Sequence, residues 1–290
     1  MVDKVMAESI RKSSDSFMAH LESMRTAAWS SIVEQAELPF ISDRLLSYTH
    51  EVTKPVRQEM ILNKLHFPVM ESRKLGIPDA HHNTFEWVLG PNTEENLVTW
   101  LREGEGVFWI SGKPGSGKST LVKHIHGAAA TQDHLRNWAG KCRLVVAGFF
   151  YWSSGTRMQK SQQGLLRSLL LGLLSQFSDL IPTAFPSRWE ATIVPGGITE
   201  ERNEAELLQA LECFRLKLEK SVKICIFIDG LDEYEGQPAS IISLVKMLAA
   251  IPNVKLCISS RPWNEFENEY GRHEDHKLYM ERLNMPDILR

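Results

Sequence analysis

Val107-Phe108-Trp109-Ile110-Ser111-Gly112-Lys113-Pro114-Gly115-Ser116-Gly117-Lys118-Ser119-Thr120 runs from a short apolar stretch through a glycine-rich turn into a segment with helical periodicity. Gly112 to Ser119 match G-x-x-x-x-G-K-[ST] in full, in the strand–turn–helix setting that the pattern needs. Glycines there let the backbone curl so that successive N–H groups face phosphate oxygens, and the helix that follows adds the positive end of its dipole. Lys118 is placed to reach β- and γ-phosphates, and the Ser119 hydroxyl to ligate Mg²⁺. Gly112, Pro114, Gly115, Ser116, Gly117, Lys118, Ser119 and Thr120 are therefore the expected phosphate-binding residues.

Working outward, short apolar runs alternate with helix-period stretches from Asn83 onward. Strands are predicted at Val107–Ser111, Leu144–Trp152, Lys223–Ile228, Val254–Ser259 and near Lys277–Met280. Helices are predicted over Gly117–Ala129, about Ser161–Gln176, Asn203–Leu218 and Ala239–Ala250, with a Pro/Gly-rich loop from Ile181 to Gly197. Strands alternating with helices imply right-handed crossovers and a parallel sheet covered on both faces. The expected fold is α/β: a three-layer P-loop sandwich with a mainly parallel five-stranded sheet and a helical N-terminal extension. Residues 1–82 form the helical region and lead-in, and 83–290 the core.

Two further stretches carry chemistry. Ile224-Cys225-Ile226-Phe227-Ile228-Asp229-Gly230-Leu231-Asp232-Glu233 is an apolar strand ending in an acid, where a P-loop protein holds Mg²⁺. Asp229 is the expected metal partner alongside Ser119. Asp232 and Glu233 lie just past the strand's C-terminal end, where ligands of open α/β sheets bind. A carboxylate there can orient or deprotonate a water attacking the γ-phosphate; Glu233 takes that role first, Asp232 second. The strand Lys255-Leu256-Cys257-Ile258-Ser259-Ser260-Arg261 delivers Ser260 and Arg261 to the same sheet edge, where an Arg can contact the γ-phosphate. For that, this strand should insert between the P-loop strand and the Asp229 strand. Adjacent pairing of those two would mark a kinase-type sheet.

The 290 residues carry 33 Lys and Arg against 36 Asp and Glu, a net charge of −3. That balance argues against a nucleic-acid coat or a polybasic membrane binder. The N-terminal residues mix charge with apolar character and predict no signal peptide, and Leu165–Leu174 is too short to span a bilayer, so a cytoplasmic chain is expected. Cys142, Cys213, Cys225 and Cys257 show no CxxC spacing, and the last two sit in strand-like runs, which reads as reduced core thiols. Met6, Ile10, Phe17, Leu21, Met24 and Ala28 line one helix face, and Pro39 and Pro55 predict breaks giving two or three helices. His124 and His126 face different ways on one helix; they, His81-His82 and His273 with His276 read as structural or surface histidines.

The pattern resembles the NACHT-type NTPase domain of the STAND class, in the nephrocystin-like version of fungal NOD-like receptor proteins. The similar stretches are Leu65-His66-Phe67 with Met70 and Arg73, Ala80-His81, Thr84-Phe85-Glu86-Trp87, the P-loop, and Phe149-Phe150-Tyr151-Trp152-Ser153. They continue through Gln163-Gly164-Leu165-Leu166-Arg167-Ser168-Leu169, Phe227 to Tyr234 and Ser259-Ser260-Arg261-Pro262-Trp263. The resemblance implies a switch that is ADP-bound at rest and ATP-bound when triggered, with Mg²⁺, slow hydrolysis, and self-oligomerisation or signalling-domain partners. In such relatives a helical lid, a winged helix with a nucleotide-sensing His, and a repeat array follow. With the sequence ending at Arg290, a core without them is expected. Two other functions compete: a scaffold that holds nucleotide without turnover, and a small-molecule P-loop kinase. The stretch Tyr234-Glu235-Gly236-Gln237-Pro238 lacks the Arg-rich lid a kinase needs.

Overall fold

A computed structural model describes residues 16, 19, 20, 23, 38–80, 85–90, 96–193 and 203–281. The expected apolar face from Met6 to Ala28, the His81-His82 pair, Thr84 and the end of the loop at Gly197 lie outside the described residues. The chain divides into two compact units, Met1–Asn63 with Pro186–Thr199, and Lys64–Phe185 with Glu200–Arg290.

In the first unit, α1 (Leu38–Leu65) begins; it is one helix that both prolines were expected to break. Pro39 falls in the first turn, where no intrahelical partner exists for an N–H. Pro55 is exposed, as is Glu51 one turn earlier, so the carbonyl that loses its partner there faces water. Within the same unit Arg57 stacks 3.9 Å over the Trp189 ring and donates to the Thr192 hydroxyl and the Trp189 carbonyl, both at 2.6 Å.

In the second unit the elements follow in order: α2 (Ser72–Gly76), α3 (Leu97–Glu103), β1 (Gly106–Ser111), α4 (Lys118–Gly127) and α5 (Ala129–Ala139). Then come β2 (Arg143–Phe150), α6 (Gln162–Leu174) and α7 (Ile181–Ala184). After α8 (Pro186–Ala191), which belongs to the first unit, the chain returns as α9 (Glu204–Lys217) and β3 (Val222–Asp229). It finishes with α10 (Pro238–Ala249), β4 (Val254–Ser260), α11 (Asn264–Tyr270) and β5 (Lys277–Tyr279). Ser161 caps α6, accepting from the Gly164 N–H, and Asn203 caps α9, accepting from that of Glu206.

Three segments depart from the sequence reading. The helix expected through Ala129 ends at Gly127, the residue with the poorest helix propensity in that run, and α5 starts anew after an extended Ala128. The Pro-rich loop after Ile181 holds two short helices, because Pro182 and Pro186 sit at helix starts, where proline is favoured. Trp152 lies past the end of β2, its N–H donating to the Gln159 carbonyl at 3.0 Å instead of to a neighbouring strand.

The five strands are all parallel, in the order β2-β3-β4-β1-β5, with helices on both faces. The strand bearing Arg261 at its exit therefore lies between β1 and β3, as the sequence reading requires, and β1 does not pair with β3. Along β3 and β4 every residue but Lys223 is buried, as expected of a sheet covered on both faces. Phe108, Ile110, Cys225, Phe227 and Cys257 pack one face against Leu121, Val122 and Ile125 of α4 and Trp138 of α5. The alternate set reaches the opposite face, where the Trp109 ring lies 6.3 Å from Tyr270 and 6.1 Å from Tyr279.

Candidate functional site

The C-terminal ends of β1, β3 and β4 meet, and each feeds a polar loop. After β1, Gly115 and Gly117 hold positive φ of 74° and 88°, a region where a Cβ would be strained, and α4 starts directly from Gly117. Gly112 is enclosed: a Cβ there would stand 2.6 Å from the Ser116 hydroxyl and 2.7 Å from Cβ of Met280. The Lys118 ammonium curls back to the carbonyls of Gly112 and Lys113 at 2.6 and 2.9 Å. Burial pushes its pKa down, while the charges of Asp232 and Asp229 pull it up. The Ser116 hydroxyl is buried with no hydrogen-bond partner among the described residues, so the loop keeps an open polar position facing inward.

After β3, Asp229 is fully buried. Its Oδ1 accepts from the Ser259 hydroxyl at 2.5 Å, and the same Ser259 oxygen accepts from the Gly230 N–H at 3.0 Å. Among the described residues, its Oδ2 meets no donor within hydrogen-bond geometry. Burial raises the Asp229 carboxyl above the usual carboxylate range, opposed by the hydroxyls of Ser259 and Ser119 and by the charge of Arg73. A hard cation prefers such oxygens, and a buried carboxylate oxygen without a partner beside a loop hydroxyl fits Mg²⁺.

Gly230 takes a left-handed turn, with φ of 74°, and splits the next two acids. Asp232 turns toward β4. Its Oδ1 accepts the Arg261 N–H at 2.9 Å, and its Oδ2 lies 2.9 Å from Arg261 Nε. Burial raises its pKa and the Arg261 contacts work against that rise. Glu233 turns the other way. Its Oε2 accepts the Ser153 N–H at 2.7 Å and its Oε1 lies 3.9 Å from Arg73 Nη2. Asp229 thus sits between two acid–arginine pairs whose arginines come from different parts of the chain.

Ser260 is not at the site. Its hydroxyl accepts from the Trp109 indole at 2.9 Å and donates to the Arg261 carbonyl at 3.0 Å, because alternation along β4 turns it to the opposite face from Ser259. Ser259 is the residue that reading Ser260 missed; parity along the strand was the available signal. Thr120 follows in the first turn of α4, half-buried. His126 packs edge-on against Phe150 and Phe227 at 6.1 and 5.3 Å, and burial lowers its pKa to about 4, so it is a neutral core residue.

The family described as Nephrocystin 3, N-terminal, matches residues 83–261, more than half of the chain. The chain belongs to the nephrocystin 3 N-terminal family. No curated protein matches it. The nephrocystin 3 N-terminal match takes in the P-loop, the Asp229–Glu233 turn and, as its last residue, Arg261. It leaves out two charged residues that the fold brings to the same edge. One is Arg73; the other is Glu281, whose Oε1 accepts the Lys113 N–H at 3.1 Å. Neither was placed in the site from sequence, since nothing in their spacing ties them to the P-loop.

Proposed function

We propose that this nephrocystin 3 N-terminal domain binds Mg–ATP and Mg–ADP at the C-terminal edge of β1, β3 and β4, and hydrolyses ATP slowly as a NACHT-type switch. The observation that carries this reading is the buried Asp229 carboxylate, with one oxygen unpartnered, opposite a full G-x-x-x-x-G-K-[ST] loop. Gly112 to Thr120 supply backbone N–H groups and the Lys118 charge to the phosphates. For that, Lys118 exchanges its loop carbonyls for phosphate oxygens. Ser119 and Asp229 would hold Mg²⁺, which when bound neutralises charge building on the β- and γ-oxygens. Glu233, held by the Ser153 N–H, keeps an oxygen for the attacking water. Arg261 and Asp232 fix the β4 exit against the loop after β3. The kinase reading loses support from the strand order, because β4 separates β1 from β3.

Titration calorimetry with Mg-ADP and Mg-ATP tests the proposal. Wild type binds both, and Lys118→Ala loses measurable affinity while keeping its melting temperature within a few degrees, because the hydrogen bonds of the lysine go to carbonyls of its own loop. Unchanged affinity in Lys118→Ala would reject the P-loop assignment. Binding without single-turnover hydrolysis in wild type would leave a nucleotide-holding scaffold.

A further inference from the structure

Three cationic side chains converge on the Asp229 edge, and two are already engaged. Lys118 donates to two loop carbonyls, and Arg261 is fixed on Asp232 by its backbone N–H and its Nε. Arg73 is different. Its nearest carboxylate, Glu233, is 3.9 Å away, too long for a hydrogen bond. Its Nε is buried and, among the described residues, has no hydrogen-bond partner. A guanidinium N–H taken out of water and left unpaired is unfavourable unless an anion completes it.

The segment carrying Arg73 is held in place from two sides. Arg167 of α6 donates Nε to the Leu65 carbonyl at 2.9 Å and Nη2 to those of Lys64 and His66 at 2.8 and 2.7 Å. Gln159, buried, donates Nε2 to the Val69 carbonyl at 3.2 Å and to the Ser72 hydroxyl at 3.0 Å. Between these anchors Val69 sits at φ 61°, a conformation a β-branched residue rarely accepts. A strained turn tied down at both ends positions Arg73 over Trp152, whose ring centroid is 5.8 Å from the guanidinium carbon. The same loop after β2 supplies the Ser153 N–H that holds Glu233. Arg73, Glu233 and Asp229 are thereby set relative to one another by a single scaffold.

We propose that Arg73 is a terminal-phosphate ligand supplied in cis by the lead-in to the domain, and that it makes the site distinguish a nucleoside triphosphate from a diphosphate. The inference rests on the nucleotide reading above and adds a residue outside the family match. The terminal phosphate is the group that Glu233's water attacks, so the cation facing Glu233 meets that phosphate and not the α- or β-phosphate. A planar guanidinium suits it, since two N–H groups can meet two oxygens at once. Without a terminal phosphate, the weak contact with Glu233 is what Arg73 retains.

Calorimetric titration of Mg-ADP and of a non-hydrolysable Mg-ATP analogue into wild type, Arg73→Ala and Arg73→Lys tests this, with a nucleotide-free thermal melt of each. Arg73→Ala should lose about tenfold or more in affinity for the triphosphate analogue and less than about twofold for the diphosphate. Arg73→Lys, which keeps the charge but not the fork, should lose less, again on the triphosphate alone, and serves should the alanine variant melt early. An equal loss on both nucleotides, or none, would overturn the proposal and leave Arg73 a structural partner of Glu233. Wild type that binds neither nucleotide would overturn the nucleotide reading itself, and this inference with it.

Discussion

Asp232 and Glu233 are neighbours in sequence with different work, and their surroundings separate the two. The Asp232 carboxylate is 4% exposed, accepts the Arg261 backbone N–H and ion-pairs with the Arg261 guanidinium at 2.9 Å, so it joins the turn after β3 to the exit of β4. Glu233, at 19% exposure, is held by one backbone N–H and faces Arg73 across 3.9 Å. Replacing either carboxylate by its amide tells them apart. Asp232→Asn removes the anion from this ion pair and should cost about 1–2 kcal/mol in denaturant unfolding, the Arg261 side being half in solvent. Glu233→Gln keeps an oxygen for Ser153, so stability should change by less than about 0.5 kcal/mol while single-turnover hydrolysis falls at least about a hundredfold. The reverse pattern, a stable Asp232→Asn without turnover, would hand the water to Asp232. The positions of Lys118 and Ser119 at the start of α4, and of Asp229 at the end of β3, were legible because local sequence fixes each. Arg73 and Ser153 were not, because the path of the chain alone brings them there.

At the scale of elements, one buried lysine links α3 to β4 and makes the fold sensitive to pH. Lys255 is fully buried and donates to the carbonyls of Trp100 and Leu101 near the end of α3, at 2.9 and 2.8 Å. The rings of Trp100 and Trp138 lie 4.6 and 4.1 Å from its ammonium. The lysine thus caps α3 from a neighbouring strand. Burial nonetheless lowers its pKa from 10.5 to about 8. Because the folded pKa lies below the unfolded one, the unfolded chain binds more protons between those two values. Stability from this group is therefore complete above about pH 10.5 and declines as pH falls toward 8. Measured against Lys255→Met, wild type should gain up to about 3 kcal/mol as pH rises from 8 to 10.5. A difference between the two proteins that stays flat over that range would mean the ammonium is solvated in the folded state. Strand positions were legible because β3 and β4 are mostly apolar, whereas Lys255 puts a charge in β4 whose partners, Trp100 and Leu101, are far away in sequence. The prolines of α1 misled because the cost of a proline depends on its place: Pro39, in the first turn, leaves no intrahelical bond unmade, and Pro55 lies at an exposed position of the helix.

Across the whole molecule, the order β2-β3-β4-β1-β5 gathers the site from three strand ends. Within the sheet β4 lies between the Asp229 strand and the P-loop strand: Ser259 hydrogen-bonds Asp229 on one side, and the Ser260 carbonyl accepts the Gly112 N–H at 3.4 Å on the other. A nucleotide held by Gly112–Thr120 together with Asp229 would clamp β1 to β3 across β4, and any ligand bound only by the native state adds its binding free energy to stability. With ligand at about a hundred times Kd that addition is about 2.7 kcal/mol. Hydrogen exchange locates it. Mg-ADP should slow exchange most at Ser111–Ser119, Phe227–Asp229 and Ile258–Arg261, and little at the opposite end of the sheet near Arg143 and Val222, where β2 pairs with β3. Lys118→Ala should abolish the whole pattern. Protection spread evenly over the five strands would mean that the ligand raises only the global unfolding barrier, and that the three strand ends are not coupled through it.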